Sequence, residues 1–367
     1  MTLRASSTLL LAFGLLLALA SSANAQRSGP SMAALVNLLR FQNTACHSDQ
    51  EESGTCLSDN ECSRRSGISI GSCANGYGSC CSFKFTCGGT TNQNETTFVN
   101  PNYPRGENGT ETCQVTIEKS PNVCQLRLDF EEFTLAQPDE NGLCTTDSFM
   151  VRTTVGERLP ILCGDNAGQH MYIDMGRGSA NPVVLSVVSN GDRLSRRWKI
   201  KINMINCNNL DMAPSGCLQS YRAPSGVIRS FNYGPRLDSR ARYLSNLRYT
   251  SCVRIEENFC AIRWETETLN SFSFGAPFES ANITELGGSS GGMCNSDDYI
   301  GIDQGSVDGI GQGEDRFCGT KLLESNAIIS RSKPFQLKVR SNADQTQNAL
   351  NSQVGFSLRY VQLPCVI

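Results

Sequence analysis

Histidine and tryptophan are scarce in this chain: two of each among 367 residues. The histidines, His47 and His170, lie far apart, and no His-Glu-x-x-His pair occurs. A serine nucleophile needs a positioned base, most often histidine, and zinc sites in enzymes draw heavily on imidazole. The shortage argues against both kinds of chemistry. A charge excess is lacking too, since 32 Lys and Arg face 35 Asp and Glu, for a formal charge of −3, with no long basic run. Nucleic acid and anionic membrane are therefore not expected as partners. Apolar runs are missing after residue 25, so no membrane span is expected in the body of the chain.

The first 25 residues differ from the rest. Arg4 is their only charge, Leu9–Ala20 is almost wholly apolar, and Ser21-Ser22-Ala23-Asn24-Ala25 follows with the small residues of a cleavage site. That pattern predicts a signal peptide over 1–25. The apolar run is shorter than the roughly 20 residues a spanning helix requires. Residues 26–43 are expected to be a propeptide or an ordered lead-in, with Met32–Leu39 helical. At the other end, Leu363-Pro364-Cys365-Val366-Ile367 offers no hydrophobic tail for a lipid anchor, and its cysteine is one position late for prenylation. A secreted, extracellular chain without membrane insertion is the expectation. The sequons at Asn94, Asn108 and Asn282 are candidate glycosylation sites in such a chain.

What the sequence does have is cysteine. Eighteen lie downstream of the leader, as expected of a disulfide-bonded chain in an oxidising compartment. They divide into three sets of six. Cys46, Cys56, Cys62, Cys73, Cys80 and Cys81 crowd into residues 44–84. Cys87, Cys113, Cys124, Cys144, Cys163 and Cys207 form the second set, and Cys217, Cys252, Cys260, Cys294, Cys318 and Cys365 the third. Sets two and three share their surroundings. Cys144 and Cys294 each precede an Asp by three positions, Cys163 and Cys318 are each followed by Gly, and Ser189-Asn190-Gly191-Asp192 answers Ser341-Asn342-Ala343-Asp344. This is an internal repeat.

Within each repeat the periodicity is two. Leu126, Leu128 and Phe130 alternate with Gln125, Arg127 and Asp129; Trp198, Ile200, Ile202 and Met204 alternate with Lys199, Lys201 and Asn203. Phe356, Leu358 and Tyr360 do the same in the second unit. Strands with one buried and one wet face follow, separated by turn-rich pieces, which favours an all-β antiparallel sandwich in each unit.

Cys87-Gly88-Gly89, Phe98-Val99-Asn100-Pro101-Asn102-Tyr103-Pro104, Leu126-x-Leu128-x-Phe130-x-x-Phe133, the Cys-x-x-Asp strand and Cys163-Gly164 together resemble a CUB domain. The second unit is similar but looser, with Gly216-Cys217, Ser230-Phe231-Asn232-Tyr233 and Arg316-Phe317-Cys318-Gly319. The resemblance implies two CUB-type jelly-roll sandwiches, over 87–208 and 215–367. It also implies the bridges Cys87–Cys113, Cys144–Cys163, Cys217–Cys252 and Cys294–Cys318. Each unit has two cysteines beyond that pattern, so a third bridge is expected in each, Cys124–Cys207 and Cys260–Cys365. The first six cysteines are expected to pair among themselves. Their run, ending in Cys80-Cys81, resembles a compact clip-type knot of the kind found beside extracellular proteases of arthropods; a generic small disulfide knot is the other reading. A knot followed by two CUB units is similar to a group of secreted arthropod proteins.

Three candidate sites remain. Gly287-Gly288-Ser289-Ser290-Gly291-Gly292 has the look of a nucleophile loop, but neither histidine has the setting of a catalytic base, so it reads as a plain loop. The CUB resemblance implies a calcium site built from three acids. Here Asp147 and Asp297 match one of the three, Ala136 and about Gly275 fall on another, and Asn190 and Asn342 on the third. Asp192 and Asp344 stand two residues further on as substitutes. Calcium needs six to eight oxygens, several of them charged, so no cofactor is expected, with Asp147, Asp192, Asp297 and Asp344 as the only calcium candidates. Finally, the insertion at 275–293 carries Phe278 beside Pro277, an aromatic suited to anchoring a partner, whereas Phe272 and Phe274 alternate as a core strand would. The function expected is non-catalytic: a secreted binding or adaptor protein for an extracellular protein or glycan. The alternative is a non-catalytic regulator of a serine-protease cascade.

Overall fold

The computed structural model describes residues 44–365 except 50–51, 155, 157, 177–181, 192–193, 235–241, 276–287, 295–297 and 344–353. The predicted signal peptide, the Met32–Leu39 helix, Asp192, Asp297, Asp344, Phe278 and Asn282 lie outside the described residues. Residues Ala45–Ile367 form one compact unit.

The cysteine-rich segment holds β1 (Ala45–His47), β2 (Ser53–Leu57), α1 (Asp59–Arg64), β3 (Ile68–Cys73) and β4 (Gly78–Phe85). Ser58 caps the short helix by accepting from the Glu61 N–H. The knot's bridges are Cys46–Cys80, Cys56–Cys73 and Cys62–Cys81. So small a segment cannot bury a sizeable core. Among the described residues its apolar cluster is Leu57, Phe83 and the Cys62–Cys81 bridge, with Phe85 packed against it, and the bridges supply the remaining restraint.

The first sandwich contains β5 (Gly89–Thr91), β6 (Thr96–Val99), β7 (Glu111–Ile117), β8 (Val123–Thr134), β9 (Asp147–Arg152), β10 (His170–Asp174), β11 (Val183–Ser189) and β12 (Arg197–Asn206). One sheet runs β6-β12-β8-β10 and the facing sheet β5-β7-β11-β9. The alternation read from the sequence appears as burial: Leu126, Leu128, Phe130, Trp198, Ile200 and Ile202 are all buried. Phe130, Phe133 and Phe149 meet edge-to-face or tilted between the sheets. Bridges Cys87–Cys113, Cys144–Cys163 and Cys124–Cys207 tie the strands.

The second sandwich contains β13 (Gln219–Tyr221), β14 (Ser225–Arg229), β15 (Arg248–Val253), β16 (Phe259–Thr266), β17 (Phe272–Ser273), β18 (Gly288–Ser290), β19 (Tyr299–Gly305), β20 (Glu314–Gly319), β21 (Ala327–Ser330), β22 (Phe335–Arg340) and β23 (Gly355–Pro364). Its sheets run β13-β15-β22-β19-β20-β18 and β14-β23-β16-β21, with β17 on β23. Phe272 and Phe274 are buried, as a core strand requires. The bridges are Cys217–Cys252, Cys294–Cys318 and Cys260–Cys365. With these, all eighteen cysteines are paired.

Two features depart from a string of separate modules. The knot and the first sandwich share a sheet, because the second half of β4 pairs in parallel with β6, Phe83 to Thr96 and Phe85 to Phe98. The two sandwiches also share a junction. The Tyr172 N–H donates to the Leu218 carbonyl at 2.7 Å, the Ser245 N–H to the Gly142 carbonyl at 2.9 Å, and the Ala213 N–H to Gln125 Oε1 at 2.8 Å. Asn232 locks it. Its Oδ1 accepts from the Asp165 N–H (2.9 Å), its own N–H donates to Asn166 Oδ1 (2.8 Å), and its Nδ2 donates to Gln137 Oε1 (3.1 Å). Most strand pairs of the sandwiches are antiparallel, as expected, but β5–β7 and β13–β15 within their sheets are parallel, as is β4–β6 where the knot joins the first sandwich.

Candidate binding surface

The loops at one end of the first sandwich converge on Asp147, the first residue of β9. Its carboxylate is fully enclosed. Oδ1 accepts from the Asn190 N–H at 3.2 Å; Oδ2 accepts from the Ala136 N–H at 2.8 Å and from Arg196 Nε at 2.7 Å. Arg196 is equally buried, and its remaining donors reach one more loop and the start of its own: Nη1 to the Gly109 carbonyl at 3.1 Å and Nη2 to the Gly191 carbonyl at 2.8 Å. Burying two charges is tolerable only when each is paired and its other hydrogen-bonding positions are filled. Here they are. The planar guanidinium fork, which lysine lacks, lets one side chain hold three acceptors at once.

The second sandwich repeats the arrangement with different chemistry. Asp298, buried before β19, accepts from the Asn342 N–H at 2.6 Å and from the Tyr243 hydroxyl at 2.7 Å. The Gly275 N–H donates to the same Tyr243 oxygen at 3.2 Å. Asn342 here matches Asn190 in the first unit, so Asp298 is the counterpart of Asp147. The neighbouring Asp297, which the Cys-x-x-Asp spacing puts at that place, lies outside the described residues.

The implied calcium sets can be tested on these geometries. In the first unit, Ala136 offers a backbone N–H where a carboxylate would be needed, Asn190 likewise presents a donor, and Asp147 is held by Arg196. A dication would sit among donors and against a guanidinium, so the described members of the set, Ala136, Asp147 and Asn190, do not fit calcium. In the second unit, Gly275 adopts φ +69°, and a Cβ there would lie 2.1 Å from the Asp298 carbonyl oxygen, so no acid can occupy that position. Among the described residues, the other grouping of metal-type donors is Cys87, Glu111 and Cys113, whose sulfurs are bonded to each other.

A groove of about 610 Å³ opens beside this loop end, at the junction of the sandwiches. Gln137, Asp139, Glu140, Asp165 and Leu194 line it from the first unit and Arg242 from the second. Arg242 Nη1 donates to the Glu140 carbonyl at 2.8 Å, so both units shape its wall.

The remaining sequence candidates separate widely. Ser289 and Ser290 lie in edge strand β18, paired with Cys318 and Phe317 of β20. His47 is an exposed residue of the knot, and His170 is buried at the junction with Nε2 3.1 Å from the Ser220 nitrogen. Neither belongs to β18 or pairs with it. Asn94 and Asn108 are both exposed, and Asn94 Oδ1 accepts from the Met204 N–H. Sequence reasoning missed Arg196 and Tyr243. For Arg196 a signal existed: it precedes Trp198, Ile200 and Ile202 by even steps and so extends the buried side of β12 by one position before the strand begins.

Residues 87–201 match the CUB domain family, and residues 214–363 match the animal CUB domain family. The chain carries two CUB domains. Cubilin from Sus scrofa is 26% identical over 271 residues, which is 73% of this chain but 6% of cubilin. The chain thus spans a small fraction of that relative's length. Among solved structures, it is similar to the CUB1-EGF-CUB2 domain of human MASP-1/3 (15% identity, 73% of this chain and 98% of the other, TM-score 0.25). It is also similar to the MASP-1 CUB2 domain bound to Ca2+ (17% identity, 32% of this chain and 98% of the other, TM-score 0.26). Likeness at that level extends no statement about calcium or neighbouring domains to this chain.

Proposed function

We propose that this protein is a secreted, non-catalytic adaptor whose two CUB domains, packed into one body, hold an extracellular protein or glycan at their shared loop end. CUB domains generally mediate extracellular protein interactions, and no helix among the described residues is long and apolar enough to cross a membrane. The observation that carries the reading is the junction itself. A groove with walls from both units exists only when the sandwiches are fixed against each other, and binding residues concentrate on loops held by a rigid scaffold. The insertion at 275–293, with Phe278, adds a second candidate contact.

The test is capture by the immobilised, secreted full chain from extracellular fluid of its source, compared with a variant carrying Leu194→Asp and Arg242→Glu. A partner held by the first and lost by the second, with thermal stability unchanged, supports the groove. Equal capture by both moves the docking surface elsewhere. Covalent labelling of Ser289 or Ser290 by a fluorophosphonate would overturn the non-catalytic reading. The protease-cascade alternative is favoured by the disulfide knot, and it predicts a protease or its inhibitor among the captured proteins.

A further inference from the structure

We propose that the first CUB domain organises its loop end with an internal cation, the Arg196 guanidinium, in place of a metal, and that this end folds and stays ordered independently of calcium. The loop end presents five chain segments that must be held together: those of Gly109, Ala136, Asp147, Asn190-Gly191 and Arg196 itself. Backbone carbonyls and a carboxylate converging on one centre are the ligand set that would suit a hard cation. Here Arg196 reaches that centre as part of the chain. Its guanidinium neutralises Asp147 and satisfies the Gly109 and Gly191 carbonyls, while the Ala136 and Asn190 N–H groups fill the remaining carboxylate positions. The positive charge is supplied in cis and cannot be removed by chelation. Its pairing with Asp147 is complete in the folded chain, so a dication would have to displace a group anchored by three hydrogen bonds.

The groups differ in kind from the second domain, where a tyrosine hydroxyl faces the equivalent acid. The inference is therefore confined to the first domain. It is independent of the adaptor reading, because it concerns loop order and cation binding rather than a partner.

The test uses the secreted full chain, stripped with EDTA and then supplied with calcium chloride. The expected result is a melting temperature that changes by less than about 1 °C between the two conditions, with no calcium uptake that depends on Asp147. Calcium uptake abolished by Asp147→Asn, together with a calcium-dependent rise in melting temperature, would overturn the proposal. Uptake that survives Asp147→Asn places the ion outside this loop end and leaves the assignment of Arg196 standing. Because Asp147→Asn strands a buried guanidinium, a second comparison guards against simple misfolding. Arg196→Met and Asp147→Leu should each lower the melting temperature, and the double variant should recover part of the loss, since removing both charges leaves neither buried alone. A double variant whose loss is the sum of the two would show that the pair is not the organising contact.

Discussion

His170 shows how a single residue fixes the chemistry of the junction. It lies at the start of β10, with Nε2 within hydrogen-bond distance of both the N–H (3.1 Å) and the carbonyl (3.2 Å) of Ser220, and with the rings of Tyr172 and Tyr221 edge-on. Burial first, and the Arg127 guanidinium second, lower its pKa to about 4; Asp129 and the Ser220 contact oppose them. The imidazole is therefore neutral in the folded protein at any pH above that value. An unfolded histidine binds a proton near 6.5, so the unfolded chain holds more protons between the two values. Stability is then full above about pH 6.5 and falls as pH drops from there through 4, by up to about 3 kcal/mol from this group. Urea unfolding at pH 7, 5.5 and 4 should show that fall, and His170→Gln should flatten it across the same window. Parallel losses in both proteins would assign the acid sensitivity to other groups.

At the level of elements, the informative case is β4. Its first half closes the knot against β2 and β3, and its second half covers the edge of β6. Lys84 pairs with Glu52 across the knot at 2.7 Å, and Phe83 is buried against Leu57. One strand thus serves two modules, and the cysteine boundary near residue 85 falls inside a continuous sheet. Strand edges left unpaired invite association with another chain, all the more when uncharged and rich in β-branched or aromatic residues, as Thr96-Thr97-Phe98-Val99 is. A chain that begins at Thr86 should therefore associate with increasing concentration, read by light scattering, while the full chain stays dispersed. A truncated protein that remains monomeric with an undiminished melting temperature would show that the sandwich closes its own edge.

The whole molecule depends on how closely the two sandwiches approach. Gly164 adopts φ +74°, and a Cβ there would lie 2.0 Å from Asn232 Oδ1. Only glycine meets both conditions, backbone sign and space. Gly164→Ala should destabilise the protein by more than about 1 kcal/mol. Its more specific effect should be to loosen the junction, so that protease cleaves between Cys207 and Cys217 sooner, with no new thiol exposed. Unchanged cleavage with the expected loss of stability would mean that the strain is absorbed within the first sandwich. The same substitution should weaken partner capture, because the groove wall formed by Arg242 would shift away from Glu140.

Much of this architecture was legible without coordinates. Period-two alternation, the repeated cysteine neighbourhoods and the Cys-x-x-Asp strands declare two β-sandwiches, because each is a local pattern that burial and disulfide chemistry impose on neighbouring residues. The core positions of β8, β12 and β23 follow from the same alternation. What only the tertiary structure decided are contacts between segments distant along the chain. Arg196 meets Asp147 across 49 positions, Asn232 meets Asp165 across 67, and β4 finds β6 rather than ending at the knot. No periodicity encodes such meetings. They depend on loop paths and on the space left between packed sheets, and there an arginine could take a cation's place or a glycine could admit a neighbouring asparagine.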